Sequence, residues 1–317
     1  MSVTKSENAV TTIIPTQGRG SLLLAVESAL QQIEVPNHVL VVVDGDEVLR
    51  SAIEARLPHS VEVIATGCPS NGNVARNQGI KHTTTPYIAF LDDDDIWLPG
   101  KLERQLAAVP SVDMNWISTC SLTTFGLQNG KKWPARQIKD GEDITEYLFN
   151  REQISSRPRY LQVSTWLAPS HVFKRHLFDE ELRIHQDFDW IIRRIKNDRL
   201  ELIQVADVFC QYRMNPALSV SASSKWKDSR DWLYSVESLC TERSRAEFLL
   251  LVTQAFAVRD GELKESILLI SEARRLGTPS VYSYGVAFAR VARYSASRAS
   301  ALLPLRKNRT NDGTRVS

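Results

Sequence analysis

Between Val10 and Leu91 the chain alternates short β-branched runs with segments of helical spacing, which restricts it to an α/β fold. Val10–Ile14, His38–Val43 (HVLVVV), Val61–Ile64 and Tyr87–Leu91 (YIAFL) read as buried strands. Between the first two, Leu22, Leu23, Val26, Leu30 and Ile33 recur at helical spacing, with Ser21 placed to cap the start. A more polar helix, about Asn73–Lys81, separates the last two. This order predicts a doubly wound, mainly parallel sheet with helices on both faces.

The remainder has a different texture. Residues from about Val112 to Tyr160 read as irregular, broken by Gly126, Gly130, Pro134 and Gly141. Gln162–Ala168 is apolar, an acidic helix start follows at His185–Asp189, and Leu202–Tyr212 reads as a strand pair or a strand and turn. From about Lys225 the pattern is helical. Phe248–Val258 is densely apolar, and Glu262–Leu276 is a periodic helix closed by Arg274, Arg275 and Gly277. Asn308–Ser317 reads as a frayed tail.

Composition closes off several classes. A chain of 317 residues that is 43% hydrophobic can bury a sizeable core, which excludes disorder, collagen and small disulfide scaffolds. Lys and Arg number 39 against 37 Asp and Glu, so no global field draws the protein onto nucleic acid. Cys68, Cys120, Cys210 and Cys240 lack metal-ligand spacing and read as free thiols in a reducing cytosol. The opening MSVTKSENAV has no apolar core of a signal peptide, and no run of about 18 apolar residues predicts a membrane span. A cytoplasmic protein is expected.

In doubly wound sheets ligands bind beyond the carboxyl ends of the strands. Pro15-Thr16-Gln17-Gly18-Arg19 follows the first strand, Asp44-Gly45-Asp46 the second, and Asp92-Asp93-Asp94-Asp95 the YIAFL strand. Four adjacent carboxylates repel and raise one another's pKa unless a cation neutralises them. Mg²⁺ and Mn²⁺ bind through one or two such carboxylates plus substrate phosphates. A solvated acidic turn is the alternative. The preceding buried strand and the following Trp97 and Pro99 favour the metal.

VTTIIPTQGR, LVVVDGDE, NGNVARNQGI, PYIAFLDDDDIWLPGKLERQL, FDEELRIHQDFDWIIRRI and FCQYRMNPALSVS stand in an order that resembles the family 2 glycosyltransferases with the GT-A fold. The resemblance runs from about Val10 to Ser221. It implies a catalytic unit over residues 1–222, with a nucleotide-binding half at about 9–110 and an acceptor half at about 111–222. A helical region with a basic tail would follow over 223–317. It also implies a nucleotide diphosphate sugar as donor, a UDP-sugar favoured, and a saccharide or lipid-linked saccharide as acceptor. Sugar transfer would proceed with inversion, in cell-surface polysaccharide or glycoconjugate synthesis.

Roles follow from the same resemblance. Asp92, Asp93 and Asp94 match the DxD motif, in which one carboxylate reaches the ribose and the last, here Asp94, holds Mn²⁺ or Mg²⁺. Asp44 matches an acid that contacts base or ribose, and Arg76 a base-side arginine. Pro15, Gln17 and Arg19 occupy the nucleotide-facing loop, and Asp187 matches the general base. The bland alternatives are a turn former for Asp44, since Asp-Gly suits a strand-terminal turn, and a helix-surface charge for Arg76. Asp189 reads as a charge complementing the helix dipole, and Arg193 as structural. Four departures from the family pattern stand out. Gln17-Gly18 replaces an aromatic-Asn pair, Val43-Asp44 a pair of acids, Gln186 a Glu and Asn215 a His.

Two further classes compete with a transferase. A nicotinamide dehydrogenase lacks support, because the first turn has no third glycine of G-x-G-x-x-G. A non-catalytic nucleotide-sugar-binding module fits poorly with retention of both the aspartate run and Asp187. The six histidines have no metal spacing, although His185 stands beside Asp187. Trp97, Trp116, Trp133, Trp166 and Trp190 read as core or acceptor-groove wall. From Gly285 onward Arg290, Arg293, Arg298, Arg306, Lys307, Arg309 and Arg315 face one acid, Asp312. Helical spacing sets Arg290, Arg293 and Arg298 roughly opposite Phe288, Val291 and Leu302, which fits peripheral contact with an anionic membrane; an ordinary helix packed on the catalytic unit and followed by a solvated tail is the alternative.

Overall fold

A computed structural model describes residues 8–126, 130–151, 159–214 and 225–302, the side chains of 299–302 excepted. The tail from Asn308, Asn215 and the Ser-containing turn to Ser221 lie outside the described residues. The first half runs β1 (Val10–Thr16), α1 (Leu22–Leu30), β2 (Asn37–Val43), α2 (Glu47–Glu54), β3 (Glu62–Ala65), α3 (Gly72–His82) and β4 (Tyr87–Phe90). Next come β5 (Ile96–Trp97), α4 (Lys101–Leu106), β6 (Trp116–Gly126), β7 (Lys132–Trp133), α5 (Ile144–Phe149), β8 (Leu167–Pro169), α6 (Ser170–Arg175), α7 (Gln186–Asp198) and β9 (Glu201–Met214). Helices α8 (Trp226–Ser235), α9 (Glu242–Phe248), α10 (Gln254–Arg259), α11 (Leu263–Leu276) and α12 (Val281–Leu302) complete the described chain.

The strands form one sheet in the order β3-β2-β1-β4-β8-β6-β9-β5, with β7 beside β6. Strands β3, β2, β1 and β4 are parallel to their neighbours, as is the pair β6–β9, while β8 runs antiparallel between the two groups. The expected α/β sheet is thus mixed and mostly parallel. Alternate side chains of β2 separate its two faces. Val39, Val41 and Val43 pack with Leu22, Ala25 and Val26 of α1 and Ile53 of α2, whereas Leu40 and Val42 join Ile80 of α3 and Trp190 and Ile191 of α7. Trp232, Phe248 and Leu249 from the C-terminal helices belong to this second core.

Several local expectations are corrected. Ser21 precedes α1 but makes no side-chain cap bond, and its backbone carbonyl accepts from Leu24 and Ala25 instead. Ile33 lies past the end of that helix, 81% exposed. The stretch taken as irregular contains β6, eleven residues paired along most of β9. Its sequence WISTCSLTTFG hides the strand, because Ser118, Thr119, Ser121 and Thr124 are polar yet buried. Leu202–Tyr212 lies within one strand of fourteen residues, with register shifts against β6 near Cys120, Ser121 and Leu122. Such irregularities bend a strand and re-aim the side chains beyond it, here Tyr212 and Arg213. The five tryptophans are all buried.

Helix α12 keeps Arg293 and Arg298 exposed but departs from the expected amphipathic pattern at two positions. Arg290 Nη1 donates inward to Leu250 O at 3.1 Å, while Phe288 is 58% exposed. Among the described residues no helix is long and apolar enough to cross a membrane.

Candidate active site

The carboxyl ends of β1, β2 and β4 lie side by side, and the polar residues beyond them converge there. Strand β1 runs to Thr16, so Pro15 is buried inside the strand opposite Val42 rather than on the following loop. Asp44 is buried beyond β2. Its Oδ2 accepts from Gln17 Nε2 at 2.8 Å, and its Oδ1 from Ser70 N and Oγ at 2.7 and 2.8 Å. Asp44 and Gln17 therefore brace each other at the sheet edge.

The four aspartates after β4 alternate. Asp93 and Asp95 point into the protein and are nearly inaccessible, while the Asp92 and Asp94 side chains keep about a fifth of their surface open. Each carboxylate has a donor. Asp92 Oδ1 accepts from Arg76 Nη2 at 2.7 Å, and Asp93 from Thr16 Oγ1 at 2.6 Å and Arg19 Nη1 at 3.0 Å. Asp94 Oδ2 accepts from the same Arg19 nitrogen at 3.1 Å, and Asp95 from Ser164 Oγ at 2.6 Å and Arg213 N at 3.0 Å. Ser164 Oγ in turn accepts the Asp92 amide at 3.0 Å. Donors of this kind offset the repulsion within the run.

Charge density still shows in the titration. Burial, then the neighbouring Asp92, raises Asp94 to about 6 against the opposing pull of Arg19. Burial also raises Asp93, and raises Asp95 well above the ordinary carboxylate range.

Asp187 comes to this cluster from a distant part of the chain. It lies in the first turn of α7, half-buried. Burial raises it to about 6, with Arg76 pulling the other way and Asp92 adding to the rise. Burial also weighs against the Arg76 charge, but Asp92 and Asp187 overcome it and hold the guanidinium above its ordinary pKa. Arg76 is thus no helix-surface charge: it is a largely buried cation paired with Asp92 and within electrostatic range of Asp187.

Helix α3 and the chain leading into α7 are joined by asparagines. Asn77 Nδ2 donates to Phe178 O at 2.8 Å while its Oδ1 accepts from Phe178 N at 2.9 Å, and Asn73 Nδ2 donates to Asp179 O at 2.7 Å.

Arg19 joins Asp93 to Asp94, Arg76 is paired with Asp92, and Asp187 lies within electrostatic range of Arg76 and Asp92. Thr16, Ser70, Asn73, Asn77, Gln162 and Ser164 support this group and carry no local sequence signal beyond lying next to strand ends or within matched segments. Gln162 Nε2 reaches Asp92 Oδ2 at 3.3 Å. Tyr212 also faces this group. Burial, then Asp95, Asp92, Asp94 and Asp187, pushes its phenol far up, and its ring lies 5.9 Å from that of Trp133.

His185 does not join. It packs among Phe188, Trp232, Phe248 and Phe256, bonds Ser229 at 2.9 Å, and burial lowers it to about 3. Asp189 lies in the first turn of α7 as a dipole-complementing charge would, and is also a buried anchor accepting from Arg193 Nε at 2.9 Å and Trp232 Nε1 at 3.0 Å. A surface hollow of about 560 Å³ beside Ile33, Val35 and Tyr87 lies at the opposite ends of β2 and β4, away from the aspartates.

Among the described residues no three His, Cys, Asp or Glu side chains surround a common point. A cation held by protein ligands alone does not fit. A hard divalent cation held by the partly open Asp94, with phosphate oxygens completing its shell, does fit this donor set.

An aspartate run on the carboxyl edge of a mixed, mostly parallel sheet, with helices on both faces, is a GT-A-like α/β arrangement. The chain belongs to glycosyl transferase family 2, whose model matches residues 11–200. It is similar to the amylovoran biosynthesis glycosyltransferase AmsB of Erwinia amylovora, at 26% identity over 247 residues, 73% of this chain and 78% of that protein. It also resembles the uncharacterized glycosyltransferase YwdF of Bacillus subtilis, at 25% identity over 208 residues, 63% and 72% of the two chains. The crystal structure of S. aureus TarS 1-349 in complex with UDP-GlcNAc shares the fold with a TM-score of 0.54 at 15% identity, covering 92% of each chain.

Proposed function

We propose that the protein is an inverting, metal-dependent hexosyltransferase. It takes a sugar from a nucleotide diphosphate sugar, UDP-linked in the first instance, to a hydroxyl of a saccharide or lipid-linked saccharide. The observation that carries this is the aspartate run at the carboxyl edge of the sheet, with Arg76 paired to Asp92 and within electrostatic range of Asp187. A role in polysaccharide synthesis draws support from the likeness to the amylovoran biosynthesis glycosyltransferase.

The chemistry asks for one base and a stabilised leaving group. Asp187 takes the proton of the acceptor hydroxyl as that oxygen attacks the anomeric carbon, and the bond to the diphosphate breaks from the opposite face. A carboxylate with a pKa near 6 is ionised at neutral pH and more basic than an ordinary one, which suits that task. Arg76 keeps it ionised. Asp94 would hold Mn²⁺ or Mg²⁺, which supplies neutralisation of the departing diphosphate when bound. Arg19 keeps Asp93 and Asp94 oriented, and Asp44, braced by Gln17 and Ser70, lies where base or ribose would rest. Glycoside hydrolysis would call for a second carboxyl group poised as acid across the bond. The carboxylates opposite Asp187 are instead engaged by arginines.

The test is a panel of nucleotide sugars with and without Mn²⁺, read by nucleotide diphosphate release and thermal shift. The matching donor stabilises the fold by mass action and is hydrolysed slowly in metal-dependent fashion. Stabilisation by a donor with no turnover toward any acceptor or water would instead mark a binding module.

A further inference from the structure

Helices α11 and α12 expose apolar side chains that the fold leaves uncovered. Ile267 and Leu268 are 55% and 50% exposed, and Val281 and Phe288 are 89% and 58% exposed. At 100° per residue, Arg274, Ile267, Ser271, Lys264, Arg275 and Leu268 share an arc of about 120° on α11. All six are exposed and none is acidic. Glu265 and Glu272 lie at one edge of that arc, and Glu272 is held by Arg230 Nε at 2.9 Å and by the Tyr234 hydroxyl. Glu262 precedes the helix.

On α12 the outward stripe is Val281, Gly285, Phe288 and Ala292, flanked by Arg293 and Arg298. The inward side is already packed, with Ser283 and Ala287 buried and Arg290 bonded to Leu250 O. Lys264, Arg274, Arg275, Arg293 and Arg298 form no ion pair among the described residues. Between Glu272 and Asp312 the chain has eight Lys or Arg and no acid, although its overall charge is only +2. The excess positive charge is gathered at this end.

We infer that α11 and α12 form a peripheral attachment surface for an anionic phospholipid membrane. Apolar side chains standing outward among unpaired cations match the boundary between headgroup and acyl chain, where the ring of Phe288 enters and the arginines meet phosphate. A second copy of the chain is the weaker occupant. A two-fold contact sets the same patch against itself, and here that brings cations against cations.

The experiment is sedimentation of the full chain with vesicles of phosphatidylcholine alone or mixed with phosphatidylglycerol, at low and high salt. Binding is expected only to the mixed vesicles, and is lost as salt screens the cations. Arg274→Gln with Arg275→Gln should lower partitioning on the order of 30-fold, each base near the surface contributing about 1 kcal/mol. A triple variant, Ile267→Ser, Leu268→Ser and Phe288→Ser, should abolish binding while nucleotide-sugar affinity and thermal midpoint hold. Equal binding to neutral vesicles, or undiminished binding by these variants, overturns the inference. A chain that ignores vesicles but forms a dimer broken by the triple variant also overturns it, in favour of self-association.

Discussion

Arg76 Nη2 lies 2.7 Å from Asp92 Oδ1, and the same guanidinium is the principal positive influence on Asp187. One buried cation thereby links the aspartate run to the carboxylate proposed as base. Removing it, as in Arg76→Met, should raise the pKa of Asp187 above its present value near 6, because the ionised carboxylate loses its stabilising charge. The acidic limb of a kcat/KM profile should move to higher pH, whereas Arg76→Lys should leave it close to the parent. An unmoved limb in Arg76→Met would show that Asp187 does not govern the profile.

For the parent enzyme, activity should fall as pH drops through about 6, since protonation removes the base. Asp187→Asn should reduce turnover about 10²–10⁴-fold with donor affinity little changed. Single-turnover measurement at saturating donor separates the two effects. Loss of donor binding with turnover retained at saturation would make Asp187 a binding residue.

Asp94→Asn should abolish metal-dependent nucleotide binding, and excess EDTA should do the same to the parent. The folded-state pKa near 6 lies above the unfolded value near 3.8, so the Asp94 charge costs stability that grows as pH rises from about 4 to 6 and then levels off. The metal-free variant should therefore melt higher than the parent at pH 7, by on the order of 1–2 kcal/mol in stability, with the gain shrinking toward pH 4. Full activity in Asp94→Asn would rule out its role as ligand.

Asn77 satisfies both backbone groups of Phe178 from inside the protein. Asn77→Ala strands them, and a loss of about 2–4 kcal/mol in unfolding free energy is expected. Because this join aligns α3 with the approach to α7, kcat should fall as well, at temperatures where the variant is fully folded. Denaturant unfolding and steady-state kinetics on the same preparation check both.

Lys101 is fully buried, its Nζ 3.9 Å from the Trp97 ring centroid and without a hydrogen-bond partner. Burial lowers it to about 8. A folded pKa below the unfolded one means the charge costs stability below pH 8, a cost relieved as pH rises toward the unfolded value near 10.5. Lys101→Met keeps the stem and removes the charge, so it should melt at or above the parent at pH 7 and lose that rise at alkaline pH. Lys101→Ala should melt lower, by the cavity it opens.

The strands β1 to β4, helices α1 and α3 and the aspartate run at a strand end were legible in the sequence, because hydrophobic period and strand-end polarity are local properties, whereas the short α2 was not. The order of the motifs likewise pointed to the family. Strand β6 escaped notice because its buried positions are Ser and Thr, satisfied by neighbours that a linear pattern does not reveal. The same limit applies at the site. Which carboxylate Arg76 serves, that Ser164 bridges Asp92 and Asp95, and that His185 turns into an aromatic core are all set by packing between segments far apart in the chain. Periodicity placed arginines on α12, but only the tertiary contacts decided that Arg290 turns inward and Phe288 outward. Helical spacing fixes which residues share a face, and the neighbours that cover a face decide which one is buried.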